Sequence, residues 1–240
     1  MRTPVLITAS ALIALVAMAA RPIYHDTVKG IGDPIKKALS VDPFHGIEVN
    51  GSMDVEIVKA DVQAVEVEAQ ANIAVLLTTE VKNGAWIIST SKSYSTDKPF
   101  IIRVRVPSMD KVHINGSGDV KSADAFEADK VDLAIAGSGD ITFVAKASTV
   151  RAAIDGSGDI RVSGSCTKLN AAIAGSGDVK AAELRTTDLH VDIAGSGDVS
   201  ANASGAVEVS IAGSGDVVLA SKPASVNERI AGSGSVRVGK

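Results

Sequence analysis

The sequence predicts an all-β fold, a single-stranded right-handed parallel β-helix (a solenoid) of about 19–20 residues per coil, and three observations carry that prediction. First, the tetrapeptide Gly-Ser-Gly-Asp begins at Gly116, Gly137, Gly156, Gly175, Gly195 and Gly213, and a variant with Ser235 in place of the acid begins at Gly232. The intervals are 21, 19, 19, 20, 18 and 19 residues, and a steady period near twenty marks stacked units. Second, apolar and polar residues alternate between the motifs. In "DLHVDIAGSGDVSA", Leu189, Val191 and Ile193, then Val199 and Ala201, point inward, while His190, Asp192 and Ala194 point out. Third, 45% of the chain is hydrophobic but only 3% is aromatic, so the interior must be built from Val, Ile, Leu and Ala in thin layers. A β-propeller needs about twice this period per blade, and the Leu/Asn pattern of leucine-rich repeats is missing.

The elements follow in chain order. Residues 1–20, "MRTPVLITASALIALVAMAA", carry an early positive charge at Arg2 and an uncharged apolar run, and they end in small residues with an A-x-A site at Ala17-Met18-Ala19. They read as a signal peptide. The alternative is an uncleaved anchor, because the run from Thr3 to Ala20 sits at the short edge of what crosses a hydrocarbon core. No later segment is apolar for long enough to cross, so the mature chain is expected without a membrane span. Residues 21–43 are broken by Pro22, Gly30, Gly32 and Pro34 and read as a linker, with one helical turn available in "PIKKALS".

Residues 44–240 are expected to be one domain. Within it, 45–111 are irregular N-terminal coils and a cap, and 112–240 are the regular Gly-Ser-Gly-Asp coils. Gly51-Ser52-Met53-Asp54 resembles an eroded copy of the motif, 65 residues before Gly116, which leaves room for about three coils. A separate small β-sandwich is the alternative for this part.

The repeated turn has a backbone explanation. Glycine adopts positive φ without a Cβ clash, so two glycines around a small Ser let every coil turn at the same height. The acid after the turn is less easily explained. Asp119, Asp140, Asp159, Asp178, Asp198 and Asp216 should form a column with neighbours ~4.8 Å apart, where like charges repel by roughly 1 kcal/mol in water. Bonds from backbone N–H groups would offset this, and so would Lys121, Arg161, Lys180 and Arg237 two residues on. Calcium is the alternative, but the motif lacks the nine-residue period of calcium-binding β-helices. The ladder of glycines and acids is therefore read as structural, with no metal or cofactor. A second outward column, Asn115, Ala136, Asp155, Ala174, Ala194, Ala212 and Ala231, forms a nearly flat strip. Such a strip is either a consequence of crowding near a tight turn or a packing face for a partner.

Several function classes find no footing. The net charge is −4 without a basic block, which argues against nucleic acid. The lone Cys166 cannot form an intrachain disulfide and has no nearby His to activate it. His25, His45, His113 and His190 are dispersed, and no triad ordering, phosphate loop or zinc spacing occurs. No catalytic residue is assigned.

The opening "FHGIEVNGSMDVEIV" and the serial "NGSGDV", "AGSGDI", "DGSGDI" and "AGSGDV" turns resemble the auto-transporter adhesin, head GIN domain proteins of bacteria, over roughly residues 44–238. The resemblance implies a right-handed β-helix on an exported bacterial envelope protein. The expected function is a non-enzymatic envelope or cell-surface interaction module, periplasmic or on the cell surface, with a protein or glycan partner and weak homo-oligomerisation through open strand edges. The alternative is a carbohydrate-active β-helix enzyme acting on acidic polysaccharide, which would place carboxylate, basic and aromatic groups in one cleft.

Overall fold

The computed structural model describes residues 27–239, so the expected signal peptide lies outside the described residues. Alternation and glycine turns produce a β-solenoid of about 7 turns. Its middle consists of the strands Val120–Gly137, Ile141–Gly156, Ile160–Gly175 and Val179–Gly195, each bending through most of a coil. They pair in parallel with like over like: Ile114, Ile135, Ile154, Ile173, Ile193, Ile211 and Ile230 are successive partners, and so are the glycines that open the motifs. Coil length varies without disturbing this register. Pairing shifts fall between Lys121 and Ala125, Arg161 and Gly164, and Ala181 and Arg185, on the side of the coil that follows the acid. A bulge there disturbs a few ladder bonds, whereas a one-residue slip at the motif would turn every apolar side chain outward.

The inward positions are buried from coil to coil, including Val120, Ile141, Ile160, Val179 and Val199 after the turns. Phe126 and Phe143 stack inside the rod with ring centroids 5.7 Å apart.

Two expectations for the N-terminal part are corrected. Within the expected linker, the described residues 27–43 are not simply a linker. Val28–Lys29 pairs with Tyr94–Ser95, and Pro34–Leu39 is a strand antiparallel to Ala64–Gln70, with no helical turn. "PIKKAL" shows little apolar alternation because its partner holds it: Lys36 faces Glu68 and lies 3.8 Å from that carboxylate and 4.0 Å from Glu66. Cross-strand charge of this kind is absent from any short window of sequence.

Nor do three coils separate Gly51 from Gly116. The strand Lys111–Gly116 pairs directly with Gly46–Gly51, which seats Gly116 on Gly51. The intervening chain leaves the stack and returns on its outer side, where Ala85–Ile88 pairs with Gly46–Gly51 and Ile101–Val106 with Asp54–Lys59. The coil that comes first in sequence is therefore second in space.

The expected cap is present but is built differently. Ala64–Gln70 runs antiparallel to Ile101–Val106, a short helix Ala71–Ala74 follows, and bulky side chains fill the end. Phe44 lies 5.6 Å from Trp86, and Tyr94 lies 5.4 Å from Phe100. The buried Trp86 donates its Nε1–H to the Thr78 carbonyl at 3.0 Å.

The opposite end is open. The strands Ser225–Gly232 and Ser235–Val238 expose Val226, Ile230 and Val238. Glu228 pairs with the buried Val209, so a carboxylate occupies an inward register at the mouth of the core. Inward charge blunts a strand edge against pairing. Arg237, in the last strand, pairs with Asp216 of the acid column at 3.2 Å, as its position two residues after the motif suggested.

Candidate functional site

The motif is a stacking device. The first glycine of each copy, from Gly116 to Gly232, has φ between +134° and +149°, and a Cβ there would lie 2.0–2.2 Å from the carbonyl oxygen of the glycine one coil below. The second glycine has no such φ. A Cβ on Gly158 would still lie 2.0 Å from the Gly139 carbonyl oxygen, so close approach alone requires glycine there.

The acid column has the same character. The backbone N–H of Asp140 donates to Asp119 Oδ1 at 3.1 Å, that of Asp159 to Asp140 at 2.9 Å, that of Asp178 to Asp159 at 3.0 Å, that of Asp198 to Asp178 at 3.0 Å and that of Asp216 to Asp198 at 2.7 Å. Asp54, in the eroded copy, receives the Asp119 N–H at 3.0 Å, and Asp216 receives that of Ser235 at 2.9 Å. Each carboxylate thus accepts from the coil that would otherwise only repel it. Lys180 adds ion pairs to Asp159 and, at 3.5 Å, to Asp178, and Lys121 lies 3.8 Å from Asp119. Burial works against the charged form of Asp159, but Lys180 and the Asp178 N–H outweigh it and hold the carboxyl below its ordinary value. Among the described residues, no group of three or more His, Cys, Asp or Glu side chains is placed to hold a metal ion.

The outer face just before the turns has a different character. The strip from Asn115 to Ala231 lies on the surface as expected, and strand pairing sets a second column beside it: His113, Ala134, Ala153, Ala172, Asp192 and Ser210. Together they floor a trough of about 530 Å³ that runs along the rod from His113 to Ala212. Reading two residues back from each residue of the outward strip, in "LAIAG", "RAAIDG" and "NAAIAG", would have found this column.

A third column, Lys111, Asp132, Arg151, Asn170, His190 and Glu208, stands along one side as a polar wall. Arg151 Nη1 donates to Asp132 Oδ1 at 2.9 Å. His113 Nε2 lies 3.3 Å from Asp132 Oδ2, off the line of a hydrogen bond. The His113 imidazole, with help from Arg151 and against the effect of burial, holds the Asp132 carboxyl down at about 2. Further along, His190 contacts Asp192 at 2.9 Å and Glu208 at 3.3 Å. The structure thus gathers His113 and His190, dispersed in sequence, onto one face.

Asp155 interrupts the alanines of the outer floor column. It is exposed, it stands between Ala136 and Ala174 in its column, and it has no side-chain partner among the described residues. No Phe, Tyr or Trp lines the trough. Cys166 lies elsewhere, half-buried, with Sγ 3.4 Å from Thr186 Oγ1, and burial pushes its thiol up, which makes it a poor nucleophile.

The family model described as "Putative auto-transporter adhesin, head GIN domain" matches residues 43–223. No curated protein matches the sequence. Among solved structures, a "putative adhesin" from Bacteroides fragilis superposes with a TM-score of 0.81 at 19% identity, covering 88% of this chain and 99% of its own. A "putative lipid binding protein" from Parabacteroides distasonis gives 0.74 at 23% identity, covering 89% and 100%. A "putative adhesin" from Parabacteroides merdae gives 0.70 at 16% identity, covering 90% and 100%. At these identities the likeness is one of fold.

Proposed function

Because the chain belongs to the auto-transporter adhesin, head GIN domain family, we propose that it is a non-enzymatic interaction protein, exported to the periplasm or cell surface, that binds an envelope protein or glycan through the alanine-floored trough. The observation that carries this reading is the trough itself. It is a floor made mainly of alanines, interrupted by His113, Asn115, Asp155 and Asp192 and flanked by Arg151, that runs over several coils of a rod whose other repeated groups serve stacking. Binding faces combine an apolar floor with a polar rim in this way. Export is supported by the apolar N-terminal run and its A-x-A site. The enzyme reading lacks the aromatic platform expected of a polysaccharide cleft.

The test uses beads carrying the full chain and isolated bacterial envelopes. Ala153→Arg, which sets a long side chain in the middle of the floor, is expected to lower adherence by roughly tenfold or more. Undiminished adherence would remove the trough as the binding face. Release of reducing ends from polygalacturonate by the wild-type chain, abolished by Asp155→Asn, would establish the enzyme instead. Export is checked separately with an alkaline phosphatase fused behind the full chain. The enzyme is active only outside the cytoplasm, so an inactive fusion would refute that part.

A further inference from the structure

We propose that the trough's partner is a second copy of this chain, docked side by side with both rods pointing the same way and with Arg151 of each copy paired to Asp155 of the other. This rests on the reading of the trough as a binding face and names its occupant. The argument is one of self-complementarity. A twofold axis along the rod, above the middle column, lays the tall wall of one copy over the low outer column of the other, coil against coil. Asp132, Asn170, His190 and Glu208 then fall over the partner's Ala136, Ala174, Ala194 and Ala212.

Two coils break the low column with a longer side chain, Asn115, which falls under the partner's Lys111, and Asp155, whose own coil carries Arg151 in the wall. Asp155, which would otherwise obstruct the approach, thus meets the group of opposite charge. Within one chain the two are four residues apart along an extended strand, ~13 Å, too far to pair with each other. Arg151 spends Nη1 on Asp132 and is 45% exposed, and Asp155 has no partner of its own. On the axis the methyls of Ala134, Ala153 and Ala172 meet their own copies. Toward its ends His113, Asp192 and Ser210 also meet their own copies; His113 lies 3.3 Å from Asp132 and Asp192 lies 2.9 Å from His190.

The contact is small. Six coils at ~4.8 Å and a width of five residues give on the order of 400 Å² per copy, about half of the ~800 Å² per partner in a standard-size interface. The dimer is therefore weak and forms at high local concentration, as on a crowded envelope.

Sedimentation equilibrium of the full chain over a concentration series into the high micromolar range tests this. The wild type is expected to show a monomer–dimer equilibrium. Arg151→Glu and Asp155→Arg are each expected to weaken it by about tenfold or more, with thermal melts confirming that both variants are folded. The decisive sample is an equimolar mixture of the two variants, in which both reciprocal pairs regain opposite charges, so a mixed dimer should return at wild-type strength.

A wild type that stays monomeric, single variants that dimerise normally, or a mixture no better than either variant alone would each overturn the proposal. If the wild type is monomeric while Ala153→Arg still abolishes envelope binding, this inference falls and the proposed function stands. A monomer that instead co-sediments with phosphatidylethanolamine–phosphatidylglycerol vesicles, and loses that binding on Ala153→Arg, would give the trough to lipid and overturn the proposal as well.

Discussion

The rod and its N-terminal end solve the same problem by opposite means. In the rod from Lys111 to Leu219, order comes from repetition: glycine stacks on glycine at the limit of backbone contact, each carboxylate accepts from the backbone N–H of the next aspartate, and Ile lies over Ile. At the N-terminal end there is no repetition to lean on. Antiparallel strands cross the stack, and Trp86, Phe44, Tyr94 and Phe100 supply the bulk that thin aliphatic layers lack. A solenoid propagates by repeating one parallel ladder, and closing it takes something different, here an antiparallel strand on the end coil together with bulky side chains over the core. The open far end makes the same point, since there a single inward carboxylate, Glu228, stands where a cap would be.

Three substitutions sharpen or break this contrast. The largest effect is expected for Trp86→Ala, a loss of about 4 kcal/mol in urea unfolding from a large cavity in the cap. A loss below about 1 kcal/mol would mean that the cap contributes little to the stability of the fold. Next comes Gly158→Ala in the rod, where the new Cβ meets a backbone oxygen that cannot move without shifting a coil. A loss of about 3 kcal/mol is expected. Gly32→Ala at the N-terminal end serves as control. Its φ is +79° but nothing lies within 4 Å of the new Cβ, so only the backbone cost of about 1 kcal/mol should appear. Equal losses at the two glycines would refute stacking as the reason for the motif.

The last effect concerns charge and extends over a pH window. Asp132 has its folded pKa lowered to about 2 from 3.8, so its contribution is present above the ordinary value and is lost as pH falls from there through about 2. Up to about 2 kcal/mol of stability should therefore disappear on acidification through that window, and less in Asp132→Asn. An unchanged acid limb in the variant would show that the His113–Asp132–Arg151 cluster does not stabilise the rod.

Legibility followed the same division. The period, the register and the need for glycine could be read because each coil carries all its own information, and a residue's neighbour in space is the residue one period away. The outward alanine strip was legible for that reason. The trough was only half legible, because its second column appears when two residues of every coil are read together. Arg151 and Asp155 share a coil and a face by alternation alone, but only the structure showed Arg151 bonded to Asp132 and Asp155 without a side-chain partner among the described residues. Pro34–Leu39 looked like a linker because its reasons for being a strand, Glu66 and Glu68, lie some thirty residues away.

By itself, the sequence determined that this chain stacks in parallel, in register, with one glycine turn and one acid per coil. Those features repeat, and a repeated local pattern has one way to bury its apolar face, against its own copies. Only the tertiary structure decided that the first coil in sequence is second in space, that each acid bonds the backbone of the next coil, and that Glu228 faces the open core. These outcomes depend on which edge remains unpaired after the repeats have stacked, and an unpaired edge is a property of the assembled stack that no single coil encodes.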